Sequence, residues 1–176
     1  MNGIVLVSGI PGAGKTTVSR LLARRLPRAA HIETDAIQDL IVSGGLHPQE
    51  EPREEAERQL QLRTRNVSML ADSFFDHGFT PVVDDTLGSR GRLDDYLRAL
   101  RTRPVFLVVL APPIDVAERR DRLRREKTVF HIWSHLGESM RRGLGGVGLW
   151  LDNGAQSPEE TAAAIERRLE TEGAIA

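Results

Sequence analysis

The chain has 176 residues, of which 40% are hydrophobic and 28% charged, as expected for one globular domain with a substantial core. It contains no cysteine, which excludes disulfides, thiol catalysis and cysteine metal sites. Its 24 basic and 25 acidic residues give a net charge of -1, which argues against a protein that mainly coats nucleic acid or an anionic membrane. No apolar run is long enough for a membrane span and no signal peptide is visible, so we expect a cytoplasmic protein.

Short apolar runs alternate with longer helical patterns along the chain. The predicted strands lie at residues 4–7, 31–33, 81–83, 105–110 and 147–151. Helical spacing of apolar residues covers 14–26, 53–77, 90–101 and 113–126. A last helix begins at Ser157, which is followed by proline and a capping-box glutamate, Glu160. This alternation predicts one α/β domain over residues 1–176 with a parallel sheet built from βαβ units.

The first predicted strand runs directly into a glycine-rich segment, Gly9-Ile10-Pro11-Gly12-Ala13-Gly14-Lys15-Thr16. It fits the phosphate-loop pattern G-x-x-x-x-G-K-[ST], and a predicted helix follows it. Lysine occurs only twice in the chain, so a chance match has a probability on the order of 0.002. Glycines let backbone N–H groups turn toward a phosphate, and the helix N-terminus adds positive charge.

We therefore predict a site for ATP with Mg²⁺. Lys15 would reach the β- and γ-phosphates and is also a predicted catalytic residue, while the Thr16 hydroxyl would ligate the metal. The predicted nucleotide-binding residues are Gly9, Gly12, Ala13, Gly14, Lys15, Thr16 and Thr17.

Carboxylates follow two of the predicted strands. Asp84 and Asp85 end the strand at 81–83, where at least one of them is expected near the metal. Asp84 follows the strand immediately and is preferred, although alternation along the strand could favour Asp85. Asp35 follows the strand at 31–33 and is predicted to accept the proton of a substrate hydroxyl. The alternative for Asp35 is an N-cap of a helix that starts at Ala36.

Arginine is concentrated after the fourth predicted strand, with five arginines between residues 119 and 125. Some of them form a solvated helix face. Arg120 and Arg124 are four residues apart and share a face, so we predict that they close over the transferred phosphate. Arg63 and Arg65, in the helix at 53–77, could bind a substrate, but surface solubility is the favoured interpretation for both.

Together these motifs resemble small P-loop kinases from residue 3 to about residue 170. The residues that carry the resemblance are G-I-P-G-A-G-K-T-T, T-D after the second strand, V-V-D-D-T at the third and R-R-D-R-L-R after the fourth. The layout is similar to chloramphenicol phosphotransferase-like and gluconate- or shikimate-kinase-like enzymes, and to the kinase domain of polynucleotide kinase. The resemblance implies a five-stranded parallel sheet in the order 2-3-1-4-5, flanked by helices, with a short lid at about 119–130. It also implies that Asp35 is the base-like aspartate and that Arg120 and Arg124 belong to the lid.

The function expected from these residues is ATP-dependent transfer of the γ-phosphate to a hydroxyl of a small molecule of antibiotic, sugar or nucleoside type. Segments at about 36–65 and 128–146 would shape the acceptor pocket. Two alternatives stay open: a nucleic-acid 5′-hydroxyl kinase, which the net charge disfavours, and a nucleotide-switch ATPase. The chain has no N-K-x-D motif, which argues against a GTPase. The acceptor, the choice of ATP over other triphosphates and the oligomeric state are left open.

Overall fold

The computed structural model describes residues 2–123 and 136–176. The strands are β1 (Ile4–Gly9), β2 (Ala29–Glu33), β3 (Thr80–Asp84), β4 (Val105–Leu110) and β5 (Leu149–Leu151). The helices are α1 (Lys15–Arg25), α2 (Thr34–Gln38), α3 (Arg53–Asp76), α4 (Arg90–Ala99), α5 (Ile114–Arg122), α6 (Leu136–Leu144) and α7 (Pro158–Glu172).

The five strands form one parallel sheet in the order β2-β3-β1-β4-β5. This confirms both the predicted fold class and the strand order that the resemblance implied. Every residue of β1 and β4 is buried, because these strands lie inside the sheet with helices packed on it. None of the helices in the described part of the chain combines the length and the apolarity needed to cross a bilayer.

The start of the last helix was predicted correctly in detail. The Ser157 side chain accepts a hydrogen bond from the Glu160 backbone N–H, and the Glu160 carboxylate accepts one from the Ser157 N–H. These reciprocal bonds satisfy two donors that the helix itself leaves without partners, so the local sequence fixes where α7 begins.

Two local predictions were wrong. Asp35 does not cap a helix that starts at Ala36, because α2 already begins at Thr34 and Asp35 lies in its first turn. No helix was predicted between residue 126 and Ser157, yet α6 runs from Leu136 through Gly143 to Leu144. Gly143 fits there because it packs against the start of α4: a Cβ at this position would lie 2.8 Å from the Arg90 nitrogen.

The register of the sheet brings the candidate residues to one edge. Asp84 at the end of β3 pairs with Glu33 on one side and with Val7 on the other. The loops that leave β1, β2 and β3 therefore start side by side at the carboxyl edge of the sheet, which is where parallel sheets of this kind bind their ligands.

Candidate nucleotide and acceptor site

The phosphate loop between β1 and α1 depends on two glycines with positive φ. Gly12 has φ 78° and Gly14 has φ 91°, which is a conformation that other residues rarely adopt. Gly12 is also tightly packed, since a Cβ there would lie 2.0 Å from the carbonyl oxygen of Ala117 in α5. The loop is closed internally by a hydrogen bond of 3.1 Å from the Ala13 N–H to the Ile10 carbonyl. The conformation that the motif predicts is thus the one that the chain adopts.

The groups around the loop favour an anion. The first turn of α1 contains no acidic residue, so its own side chains do not neutralise the positive end of the helix. Lys15 reaches back across the loop, where its Nζ donates to the carbonyl oxygens of Gly9 at 3.0 Å and Ile10 at 3.4 Å. The backbone donors of the helix N-terminus and the Lys15 ammonium are therefore held together, as a phosphate site requires.

The loop after β5 is hydrogen-bonded to the phosphate loop. Asn153 is only 3% exposed, and its Nδ2 donates to the Ala13 carbonyl at 2.9 Å. Arg120 of α5 in turn donates from Nη2 to the carbonyls of Asn153 at 3.1 Å and Gly154 at 3.3 Å. The Arg120 guanidinium thus fastens α5 to the loop after β5; its predicted contact with a transferred phosphate stays a prediction. Arg124 and the rest of the predicted lid, 124–130, lie outside the described residues.

Asp84 is a buried carboxylate at the end of β3. It is 4% exposed, and its Oδ2 lies 3.2 Å from Nε2 of His31 in β2. Thr16 lies in the first turn of α1, which packs on β3. Mg²⁺ usually takes one or two carboxylates, substrate phosphates and water in place of an all-protein cage. The described residues contain no cluster of three histidine, aspartate or glutamate side chains that could hold a metal, and the roles of Thr16 and Asp84 at a metal stay predictions.

Asp85 is enclosed by donors from four parts of the chain. Its Oδ1 accepts hydrogen bonds from Thr34 Oγ1 at 3.3 Å, from Arg63 Nη2 at 2.9 Å and from the Thr86 N–H at 2.8 Å. Its Oδ2 accepts a hydrogen bond of 2.8 Å from the hydroxyl of Tyr96 in α4. Burial and the Asp85 charge raise the pKa of Tyr96 well above its ordinary value, so this hydroxyl stays protonated as a donor.

Asp35 presents its carboxylate to solvent at the same edge of the sheet. Its side chain is 87% exposed, and its Oδ1 lies 3.7 Å from Nη1 of Arg63, the guanidinium that also holds Asp85. The surface interpretation of Arg63 was wrong, because this residue is only 8% exposed. Arg65 is exposed, as expected. The signal for Arg63 was present in the sequence: it shares a helical face with Ala56, Val67 and Ala71, all buried apolar residues.

A cavity of about 310 Å³ lies beside α2, within the segment predicted to bind the acceptor. It is lined by Gln38, Asp39 and residues 41–47. The Gln59 side chain of α3 holds this loop, accepting from the Leu46 N–H at 2.7 Å and donating to the Gly44 carbonyl at 2.8 Å. The chain thus has a formed hollow next to the helix that carries Asp35. Of the second predicted acceptor segment, 128–146, the part up to residue 135 lies outside the described residues.

The sequence of this chain is similar to a known protein family and to a curated protein. The family model described as AAA domain matches residues 4–144. The chain is 32% identical over 125 residues to a UPF0200 protein of Aeropyrum pernix, a match that covers 69% of this chain. The chain spans 65% of that relative's length.

Solved kinase structures are similar over nearly the whole chain. A sugar kinase from Janibacter sp. HTCC2649 is 20% identical with a TM-score of 0.67, covering 94% of each chain. A shikimate kinase from Bacteroides thetaiotaomicron is 17% identical with a TM-score of 0.69, covering 95% of this chain and 98% of that one. APS kinase from Mycobacterium tuberculosis, in complex with AMPPNP and APS, is 19% identical with a TM-score of 0.68, covering 97% and 98%. The resemblance to P-loop kinases is confirmed, and at these identities it establishes a shared fold.

Proposed function

We propose that this chain, which belongs to the AAA domain family, is an ATP-dependent phosphotransferase that moves the γ-phosphate to a hydroxyl of a small molecule. One observation carries the proposal: a glycine-built phosphate loop with Lys15 shares the carboxyl edge of the sheet with an exposed carboxylate, Asp35, in the short helix whose C-terminal end lines a cavity. A donor site and an acceptor base on the same edge are what in-line phosphoryl transfer requires.

On the donor side, the backbone N–H groups of residues 12–16 and the Lys15 ammonium bind the phosphates of ATP, with Gly9 and Thr17 at the two ends of the loop. The Thr16 hydroxyl and the Asp84 carboxylate would hold Mg²⁺, which when bound neutralises charge on the β- and γ-phosphates. Lys15 would exchange its bonds to the Gly9 and Ile10 carbonyls for phosphate oxygens.

On the acceptor side, Asp35 accepts a hydrogen bond from the substrate hydroxyl and takes its proton. The hydroxyl oxygen forms a bond to the γ-phosphorus while the bond to the bridging β–γ oxygen breaks, and ADP leaves with that oxygen. Arg120 and Arg124 are proposed to neutralise the charge that develops on the transferred group. For this, Arg120 would leave the carbonyls of Asn153 and Gly154.

A small acceptor is favoured over a nucleic-acid end. The cavity beside α2 has the volume of a small-molecule pocket, and the net charge of -1 gives no general attraction for a polyanion. Since the reaction consumes ATP, the proposal is for a cytoplasmic enzyme.

The test is transfer of label from γ-³²P-ATP to a metabolite extract and to a panel of sugars, nucleosides, amino acids and antibiotics. A labelled organic product that is absent with Lys15→Ala supports the proposal. Label on the 5′ end of an oligonucleotide would favour the nucleic-acid kinase instead. Inorganic phosphate as the sole labelled product would favour a nucleotide-switch ATPase.

A further inference from the structure

The two adjacent carboxylates at the end of β3 are in different chemical situations. Both Asp85 oxygens already accept hydrogen bonds from protein groups, three on Oδ1 and one on Oδ2. The three donors on Oδ1, which include a guanidinium 2.9 Å away, crowd that oxygen and bring a positive charge to where a metal ion would have to approach. Asp84 contacts His31 through Oδ2, and among residues 2–123 and 136–176 no hydrogen-bond donor reaches its Oδ1.

Hydrogen bonds hold the Asp85 carboxylate in one orientation where it meets Arg63. The Asp85 carboxylate is 6% exposed and is fixed by the Thr86 N–H and by the hydroxyls of Thr34 and Tyr96. These hydrogen bonds restrain the orientation of the carboxylate that binds Arg63. The guanidinium is planar, so fixing Nη2 on Asp85 also sets the direction in which Nη1 points.

The other end of that guanidinium meets Asp35. Nη1 of Arg63 lies 3.7 Å from Asp35 Oδ1. Asp35 is otherwise exposed, and an exposed side chain samples several rotamers unless a partner restrains it. Arg63 is itself buried in α3, so its position is set by packing and not by solvent.

We propose that Asp85 and Arg63 are positioning residues that hold the Asp35 carboxylate toward the acceptor, and that Asp84, not Asp85, is the carboxylate for the metal. The proposal rests on the proposed function of Asp35. The order of contact is Tyr96 to Asp85, Asp85 to Arg63 and Arg63 to Asp35, with only Asp35 touching the substrate.

The first experiment compares Asp84→Asn with Asp85→Asn and needs no acceptor. Binding of a fluorescent ATP analogue is measured as a function of Mg²⁺ concentration for both variants and the parent protein. We expect Asp84→Asn to raise the half-saturating Mg²⁺ concentration by about tenfold or more, as loss of a ligand does, and Asp85→Asn to leave it within about twofold. An equal or larger shift for Asp85→Asn would overturn the metal assignment.

The second experiment is a double-mutant cycle between Asp35 and Asp85. The rate is phosphate transfer to the acceptor found in the labelling panel or, if none is found, phosphate release from ATP to water. Asp85→Asn is expected to lower kcat by about tenfold with an unchanged KM for ATP, and to cost nothing further in the Asp35→Asn background. Additive effects, or no effect of Asp85→Asn on kcat, would contradict a role that acts through Asp35.

A folding defect is separated from positioning by two further variants. Tyr96→Phe removes one hydrogen bond to Asp85 and keeps the ring, and should lower kcat in the same direction but less. Arg63→Lys keeps the charge without the planar fork and should resemble Asp85→Asn in kcat, since one ammonium cannot serve both carboxylates in the same way. Parent-like kcat in both variants, at parent-like melting temperature, would overturn the proposal. Failure of the proposed function looks different: no labelled organic product, whatever the Mg²⁺ titrations show.

Discussion

The phosphate loop is a single run of eight consecutive residues, whereas the proposed acceptor side combines side chains from four separate parts of the chain. Gly12 and Gly14 shape the loop, and Lys15 follows them directly in the chain. Asp35 comes from α2, Arg63 from α3, Asp85 from the end of β3 and Tyr96 from α4.

Because of this difference, the phosphate loop and the proposed acceptor side should be sensitive to different kinds of substitution. The phosphate loop depends on backbone conformation and close packing, so a methyl group added at Gly12 should distort it. The proposed acceptor side depends on hydrogen bonds around the buried Arg63 and Asp85, where removal of one partner leaves the other unsatisfied. Substitutions in the two regions should therefore separate effects on ATP binding from effects on transfer.

The largest effect is expected from Lys15→Ala, which removes the only charged side chain of the phosphate loop. Productive ATP binding should be lost and phosphate transfer should fall on the order of 10³-fold, because the lost ammonium is a preorganised donor to the transferring phosphate. Calorimetric titration with Mg·ATP and the labelling assay measure the two quantities. Arg24→Ala, an exposed cation on α1, is the control and should behave as the parent. Parent-like ATP binding by Lys15→Ala would contradict the assignment of this loop to the phosphates of ATP.

Asp35→Asn should affect phosphate transfer without affecting ATP binding. ATP binding is expected to survive, since Asp35 lies on the acceptor side, while transfer falls by about 10²-fold or more through loss of the proton acceptor. The measurement is kcat beside the dissociation constant for ATP in the same preparation. Asp76→Asn is the control and should behave as the parent, because Asp76 is an exposed carboxylate at the end of α3 and lies outside the candidate site. Unchanged transfer in Asp35→Asn would remove Asp35 from the mechanism.

Gly12→Ala tests the backbone requirement of the loop. Its Cβ would lie 2.0 Å from the Ala117 carbonyl, so α5 or the loop must move. We expect the free energy of unfolding to fall by about 2–4 kcal/mol and ATP binding to weaken. Gly44→Ala is the control, since Gly44 has a similar φ of 73° but nothing within 4 Å of its Cβ, and it should cost about 1 kcal/mol. Equal costs at the two positions, measured by urea unfolding, would show that the close packing of the loop does not matter.

The smallest effect is expected at Asp72, which ties α3, the helix that carries Arg63, to the chain before β4. Its carboxylate accepts hydrogen bonds of 3.0 Å from the N–H groups of Arg101 and Thr102. Burial alone would raise the pKa of Asp72, but these bonds and the Arg101 charge outweigh it and lower the pKa. A carboxylate with a lowered pKa stabilises the fold above its unfolded pKa, and that contribution disappears as the pH falls through its folded pKa.

Asp72→Asn should therefore lower the free energy of unfolding by about 1–2 kcal/mol at pH 7. The difference from the parent should hold down to about pH 5 and shrink below about pH 4, because the parent carboxylate is then increasingly protonated. Urea unfolding across this pH range measures it. Asp76→Asn, which breaks a more exposed pair with Arg101, should change the stability by less than about 0.5 kcal/mol. A difference that grows on acidification would contradict the assigned sign.

Much of the fold was readable because its signals are local. Apolar runs, the capping box at Ser157 and the phosphate-loop spacing each depend on neighbours within a few residues. The strand order 2-3-1-4-5 came from the resemblance and was confirmed. Helix α6 was missed because its glycines, Gly137 and Gly143, resemble a loop, and the close contact of Gly143 with α4 that explains one of them is tertiary.

In the candidate site too, residues with a local sequence signal were predicted and residues placed by tertiary contacts were not. Lys15 was predicted from the phosphate-loop motif and Asp35 from its place after a predicted strand, but Tyr96 was not singled out and surface solubility was favoured for Arg63. Tyr96 lies 11 residues from Asp85 and Arg63 lies 22, and nothing local in the sequence records that their side chains meet on one carboxylate. The roles assigned to these residues stay predictions.

The most direct test of the central claim is a calorimetric titration of the purified chain with ATP in the presence of Mg²⁺. We expect saturable binding of one nucleotide per chain that is abolished by Lys15→Ala and preserved in Asp35→Asn. Absence of binding in the parent protein, or equal binding in the parent and Lys15→Ala, would contradict that claim.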